Sequence, residues 1–283
     1  RGLVAIASGA MLGMAGAILQ SILHNPLADS TLTGVTAGAV FLVILCLAFR
    51  IDFNRPGLVL PLVALIGGTM SSLLVYQLAH IAGAPTDPVR LALVGLLFNA
   101  IFSSLTILLV IWRGVDFGGV LGWIVGSLSG RSWFHWNAVW PWALIGLLLG
   151  LVSVRIANVL SLGNEIALGL GLRTEQARLG LLLIAALLTG GSVLGVGALG
   201  FVGLIGAHIA RQLVGNDARR LFPASSLCAA GLVLGADMLA QMITIYQPFQ
   251  YTTIPTGIPT GAITAMLGAG FFLYLIGRQP QTG

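Results

Sequence analysis

Leu162-Gly163-Asn164-Glu165-Ile166-Ala167-Leu168-Gly169-Leu170-Gly171-Leu172 lies in a chain that is otherwise almost entirely apolar. Charged residues make up only 7% of the sequence, yet Arg155, Glu165, Arg173, Glu175 and Arg178 fall around this one stretch. The segment is helix-like but too short and too polar to cross a bilayer, which takes about 20 apolar residues. A small helix placed between spans is presented to something outside the lipid, so this island is the first candidate for a partner contact.

Working outward, the apolar runs on both sides are of spanning length. The chain has 283 residues, 57% of them hydrophobic, and a mean hydropathy of +1.01. A soluble protein of this size cannot hide so much apolar surface, so lipid is its solvent. Spans are expected near 3–23, 33–50, 57–80, 90–113, 140–157, 176–196, 199–214, 223–245 and 257–277. Backbone groups in hydrocarbon must be satisfied within the segment, so each is a helix. The alternation of a transmembrane barrel is absent. The first run ends in Asn25-Pro26, not in a signal-cleavage site. Residues 1–283 read as a single transmembrane domain.

All 13 basic residues are arginine; there is no lysine. A Walker-type phosphate loop and a lysine Schiff base are therefore excluded. The arginines are single and scattered, which suits membrane orientation better than nucleic-acid binding. Placing Arg1 outside puts Arg90, Arg155, Arg173, Arg178, Arg211, Arg219, Arg220 and Arg278 inside, against Arg1, Arg50, Arg55, Arg113 and Arg131 outside. The polar island is then cytoplasmic. All six tryptophans lie between Trp112 and Trp142, with Trp123, Trp133, Trp136 and Trp140 flanking one external loop, in which Gly114 to Gly130 reads as a short interfacial helix with turns. The cysteines, Cys46 and Cys228, read as small buried hydrophobes, and no metal-ligand spacing occurs.

Glycines spaced for close helix contact recur: Gly9 with Gly13, Gly34 with Gly38, Gly146 with Gly150, Gly191 with Gly195, and Gly231 with Gly235. Gly195 to Gly206 carries five glycines, enough for a flexible or closely packed segment. After the first span, Gln20 to Asp29 contains Asn25-Pro26, where Pro26 ends the helix. Gln20, Asn25, Pro26, Gly34 and Gly38 are candidates for a tight helix crossing or a translocation gap. Asp237 sits inside an apolar run, which marks either a cavity or interface residue or a hydrogen-bonded acid near a span end. His208 and Arg211 end a short span, followed by Asn216 to Arg220, an anchor on the positive side. The histidines, His24, His80, His135 and His208, read as loop-bound or terminal. Catalytic readings are weak. Ser8 lacks a base, and Gly126-Ser127-Leu128-Ser129-Gly130 does not match a nucleophile elbow.

At these residues the chain resembles the permease subunits of the FecCD family, the membrane halves of bacterial ABC importers for iron–siderophore complexes, haem and cobalamin. The resemblance runs through Gly9-Ala10 to Gln20, Asn25-Pro26-Leu27-Ala28, Gly34 to Ala39, Leu93-Val94-Gly95, Trp123 with Gly126 to Gly130, and Leu162 to Leu172. It continues through Gly200 to Ile205, His208 to Arg211, Asp237 and Leu267-Gly268-Ala269. It implies an all-α bundle of ten spans that works as a dimer in the bacterial cytoplasmic (inner) membrane. It also implies two cytoplasmic ATPases and a periplasmic or lipid-anchored binding protein as partners. By the resemblance Gly163, Glu165, Ala167, Gly169 and Gly171 belong to the ATPase-coupling helices, and Arg1 and Gln241 face the docked binding protein.

The chain departs from the family pattern in several places. Nine spans are counted and the first of the ten is expected to be missing. Ala207 replaces a usual proline, Gln241 a usual arginine and Gly270 a frequent proline, and Tyr246 to Gly257 is long and polar. The expected function is the permease of an ATP-driven importer of a ferric siderophore. It needs no cofactor, binds no nucleic acid, and leaves ATP hydrolysis to a partner subunit. The alternatives are haem or cobalamin as cargo, or, in another class, a proton-coupled transporter with Asp237 as carrier.

Overall fold

A computed structural model describes residues 1–26, 28–51, 56–80, 88–114, 121–246 and 257–278. Arg55, residues 115–120 of the expected interfacial helix, and most of the Tyr246 to Gly257 segment lie outside the described residues. Every element among those described is helical. In chain order they are α1 (Gly2–Leu23), a 3-10 turn (Ser30–Thr33), α2 (Val35–Ala48), α3 (Pro56–His80) and α4 (Pro88–Arg113), then a π-helical turn (Gly122–Gly126). There follow α5 (Trp133–Val152), α6 (Val154–Ser161), α7 (Asn164–Gly169), α8 (Thr174–Val196), α9 (Val202–Val214), α10 (Ala218–Ile245) and α11 (Thr260–Arg278). Among the described residues, six helices are long and apolar enough to cross a membrane, and α2, α9 and the Thr260–Phe271 part of α11 are shorter apolar stretches.

The expected spans fall on these helices with one clear shift. The run read as 140–157 is two helices: α5 starts at Trp133, and a break at Ser153 separates it from α6. Trp133, Trp136 and Trp140 therefore ride on the start of α5, across residues 127–132 from Trp123 in the π turn. The start is set by Ser132, which exchanges capping hydrogen bonds with His135. His135 is terminal, in the first turn of α5, and His208 lies within α9.

Burial identifies the centre. In α1, 78% of the spanning window is buried, against 17% in α4. α1 packs against α10, α8, α9 and α5, while α2 packs against α3 and α4, and α3 joins the two groups through α8. Lipid gives no hydrophobic drive between helices, so close packing through small residues must hold them together. A Cβ on Gly9 would lie 2.7 Å from the Ala229 carbonyl oxygen and 2.7 Å from Ala230 Cα, so α1 and α10 touch backbone to backbone. Gly13 meets Ser225 and Gly16 meets Gly203 in the same way. Gly38 is matched by Gly67 and Ser71 on α3. Gly231 and Gly235 differ: a Cβ there would have open space around it among the described residues. Their spacing alone suggested a crossing, but they lie away from the faces of α10 that meet α1 and α9.

The five-glycine segment resolves into a tight connection. α8 ends at Gly197 (φ 78°), and a Cβ there would meet the Trp123 carbonyl oxygen at 3.0 Å. Phe201 then adopts a left-handed conformation (φ 64°), and its N–H donates to Asp29 Oδ2 at 3.3 Å. Ser225 and Ser226 bond back to the Leu221 and Phe222 carbonyls of the preceding turn, whereas the buried hydroxyls of Ser8, Thr36, Ser72, Thr189 and Ser192 have no hydrogen-bond partner among the described residues.

Candidate functional site

The polar island forms a ledge at the end of the bundle where α1 and α5 finish and α8 and α10 begin. α6 is amphipathic: Val154, Ala157 and Leu160 are buried, while Arg155 and Ile156 are exposed. Gly163 (φ 99°) then breaks the chain in a conformation open to glycine, and α7 follows at once. Gly171 (φ 78°) ends the ledge in the same manner.

Within α7 the candidate residues separate. Ala167 is fully buried and anchors the helix, whereas Ile166 is 54% and Leu170 64% exposed. Glu165 is also exposed, and a Cβ on Gly169 would meet open space. The outward surface is therefore Glu165, Ile166 and Gly169 with Leu162, Leu168 and Leu170, an apolar patch carrying one acid. The resemblance singles out Glu165, Ala167 and the glycines of the Gly163 to Leu172 segment, while its leucines look in sequence like ordinary membrane residues.

The ledge is fixed from below. Arg178, buried in α8, donates through Nη2 to Asn164 Oδ1 at 2.9 Å. Tyr76 of α3 donates its hydroxyl to Glu175 Oε2 at 2.8 Å. Asn158 of α6 bonds the start of α10, and His24 Nε2 lies 3.2 Å from the Leu160 carbonyl oxygen. Gln20, buried in α1, accepts from Arg211 Nη2 at 3.0 Å and reaches the Ala28 carbonyl at 3.5 Å.

A cleft of about 420 Å³ lies elsewhere, between α2, α4, the π turn, the α8–α9 connection and α11. Asn99, Ser103 and Thr106 of α4 face it with Thr36 of α2, among apolar walls such as Ile107 and Ile124. Such a volume suits a small-molecule path or pocket. None of Gln20, Asn25, Pro26, Gly34, Gly38 and Asp237 lines it. Asn25 and Pro26 form the turn after α1, closed by the Ala28 N–H on the Asn25 carbonyl at 3.1 Å. Gly34 (φ 67°) accepts from Ser71 Oγ at 2.9 Å, so it and Gly38 belong to the α2–α3 crossing. Asn99, Ser103 and Thr106 recur at helical spacing on one face of an apolar run, a signal present in the sequence.

At the opposite end, Asp237 meets Arg1, Gln241 and Thr260. Arg1 begins α1, Asp237 and Gln241 lie one turn apart on α10, and Thr260 begins α11. The two docking candidates and the intramembrane acid thus form one cluster. Among the described residues, no group of three His, Cys, Asp or Glu side chains is placed to hold a metal ion.

An all-helical bundle with apolar spans, an uncharged cleft and an exposed ledge outside the hydrocarbon defines a multi-pass membrane transport protein. The chain belongs to the FecCD transport family, which matches residues 1–278. It is 36% identical over 274 residues to the iron(3+)-hydroxamate import system permease protein FhuG of Bacillus subtilis, covering 95% of this chain and 78% of that one. It is 35% identical over 277 residues to the Fe(3+) dicitrate transport system permease protein FecD of Escherichia coli, covering 98% and 82%. Among solved structures it is similar to a metal-chelate type ABC transporter in an inward-facing conformation, with a TM-score of 0.84 and 26% identity over 99% of this chain and 86% of that one.

Proposed function

We propose that residues 1–283 form one transmembrane domain that carries a ferric siderophore across the bacterial inner membrane, driven by a separate ATPase. The relatives are permeases of iron(3+)-hydroxamate and Fe(3+) dicitrate systems, and the cargo inferred here is of that class. A polar metal chelate cannot enter hydrocarbon unaided. A second permease subunit apposed to the cleft would complete a path walled by amide, hydroxyl and apolar groups. Such walls solvate a chelate without trapping it. Among the described lining residues there is no histidine, which favours a pre-formed chelate over haem.

The observation that carries the reading is the α7 ledge. Ile166, Leu168 and Leu170 are exposed on a helix too short to enter lipid. An apolar patch outside the bilayer marks a protein contact. ATP-driven closure of the two ATPases would press on Glu165 and Gly169, and the spans would rock to open the cleft to one side. A periplasmic or lipid-anchored binding protein would deliver cargo at the Arg1–Gln241 end. Asp237 as a proton carrier fits less well, because it is engaged with Arg1 in an ion pair.

Purification of the complex followed by mass spectrometry of the bound chains tests this. An ATPase subunit should co-purify with the wild-type chain and be lost from the Glu165→Arg/Gly169→Trp variant, with membrane insertion intact. Full retention in that variant removes α7 as the contact.

A further inference from the structure

A displacement of the ledge has to reach the spans, and the hydrogen bonds around α6 are few enough to trace. Asn158 donates through Nδ2 to Asp217 Oδ1 at 2.7 Å and accepts from the Ala218 N–H at 2.8 Å. Asp217 is the N-cap of α10 and accepts from the Arg219 N–H at 3.0 Å. The first two amides of α10 are therefore satisfied by oxygens from two different elements. Among the described residues no other hydrogen bond joins α6 to α10. At the far end of α6, the Leu160 carbonyl meets the ring of His24, the left-handed residue that ends α1.

We propose that Asn158 is a positioning residue that transmits movement of α7 into α10. The proposal rests on the transport reading above. α6 and α7 are separated only by Leu162 and Gly163, so a push on α7 moves α6. α6 lies with Val154, Ala157 and Leu160 against the bundle, so it slides or tilts along that surface. Apolar contacts permit sliding. The two bonds of Asn158 do not, because each has a fixed direction and a charged or backbone partner. The Asp217 carboxyl is held below the usual carboxylate range, first by the Arg219 amide and then by Asn158, so it is ionised at neutral pH. The N-terminus of α10 thus moves with α6. α10 in turn packs along α1 and carries Asp237 at its other end.

A reciprocal exchange of the pair separates this role from simple capping. Asn158→Asp faces one carboxylate with another and breaks the bond. Asp217→Asn keeps an oxygen for the Arg219 amide and for Asn158 Nδ2. The double variant Asn158→Asp/Asp217→Asn restores a donor–acceptor pair with the direction reversed. The readout is ferric siderophore taken up per ATP hydrolysed, in vesicles holding the permease, its ATPase and its binding protein. Thermal stability and the amount of ATPase bound are measured beside it.

The ratio should fall about tenfold in Asn158→Asp, stay within about twofold of wild type in Asp217→Asn, and recover in the double variant. ATPase binding should be unchanged throughout. If Asn158→Asp does not insert, Asn158→Ala is read by the same ratio. A wild-type ratio in the broken variant overturns the proposal, as does a proportional loss of uptake and hydrolysis. So does a double variant that regains stability without regaining the ratio. A wild-type chain that binds no ATPase overturns the transport reading itself, a result visible before any variant is made.

Discussion

Arg1 and Asp237 are joined through two nitrogens: Nη2 lies 2.6 Å from Oδ1, and Nε lies 2.9 Å from Oδ2. Their side chains are 29% and 3% exposed, so the acid is the buried partner. Gln241 Nε2 at 2.8 Å and Thr260 Oγ1 at 3.0 Å complete the shell of the carboxylate. The cluster staples the outer ends of α1, α10 and α11.

Removing one member of such a pair leaves a charge without its counter-ion, at a cost of about 3–5 kcal/mol. Arg1→Ala should be the costlier change, because it strands a buried carboxylate with two neutral donors. In Asp237→Ala the guanidinium can still turn to water. Thermal unfolding in detergent should show the larger drop for Arg1→Ala, and Arg1→Met/Asp237→Leu should regain much of it.

Helix crossings give a second contrast. Gly9→Ala must push α1 away from Ala229 and Ala230, an overpacking cost of about 1–3 kcal/mol. Gly231→Ala meets open space, and replacing a helical glycine there is neutral or gains about 0.5–1 kcal/mol. Detergent melting curves should move in opposite directions or move only for Gly9.

This contrast shows what was legible in the sequence. Spanning helices follow from local hydropathy, and the expected apolar runs fall on helices, that at 140–157 divided between α5 and α6. The break at Ser153 does not, because its cause is local. Ser153 Oγ turns back to the Gly150 carbonyl at 2.8 Å, directly after the uniformly apolar Ile145 to Val152. Likewise, Gly9 with Gly13 and Gly231 with Gly235 have the same spacing, and only the direction each face points separates a crossing from an open surface. Asp237 was recognisable as an acid needing a partner. That its partner is Arg1, 236 residues away, is a fact of tertiary packing. The cleft was missed for the same reason. Its walls come from five segments, and Gln20 and Gly38 were favoured by their chemistry although the fold turns them to helix contacts.

The cleft yields a third expectation. Ser103 is exposed on its wall, and Ser103→Trp should fill much of the passage. Uptake should fall about tenfold or more while ATP hydrolysis without cargo stays near wild type, since α7 is untouched. Equal loss of both would mean that the substitution distorts the bundle.

A fourth concerns the ledge. Gly163→Ala forces a side chain into a φ of 99°, a region that costs about 1–3 kcal/mol for other residues. Gly169→Ala adds a methyl facing open space. Gly163→Ala should lower the chain's own thermal stability and weaken ATPase co-purification through misplacement of α7, whereas Gly169→Ala should leave that stability unchanged and act only through the methyl's contact with the ATPase.

The central claim is that this chain provides the path while another chain provides the energy. Vesicles reconstituted with the permease, its ATPase and its binding protein, and supplied with a ferric hydroxamate labelled with radioactive iron, test it directly. The account predicts uptake that requires ATP on the ATPase side, persists when the proton gradient is collapsed, and disappears with Glu165→Arg/Gly169→Trp. Uptake that survives ATP depletion and follows the proton gradient would contradict it.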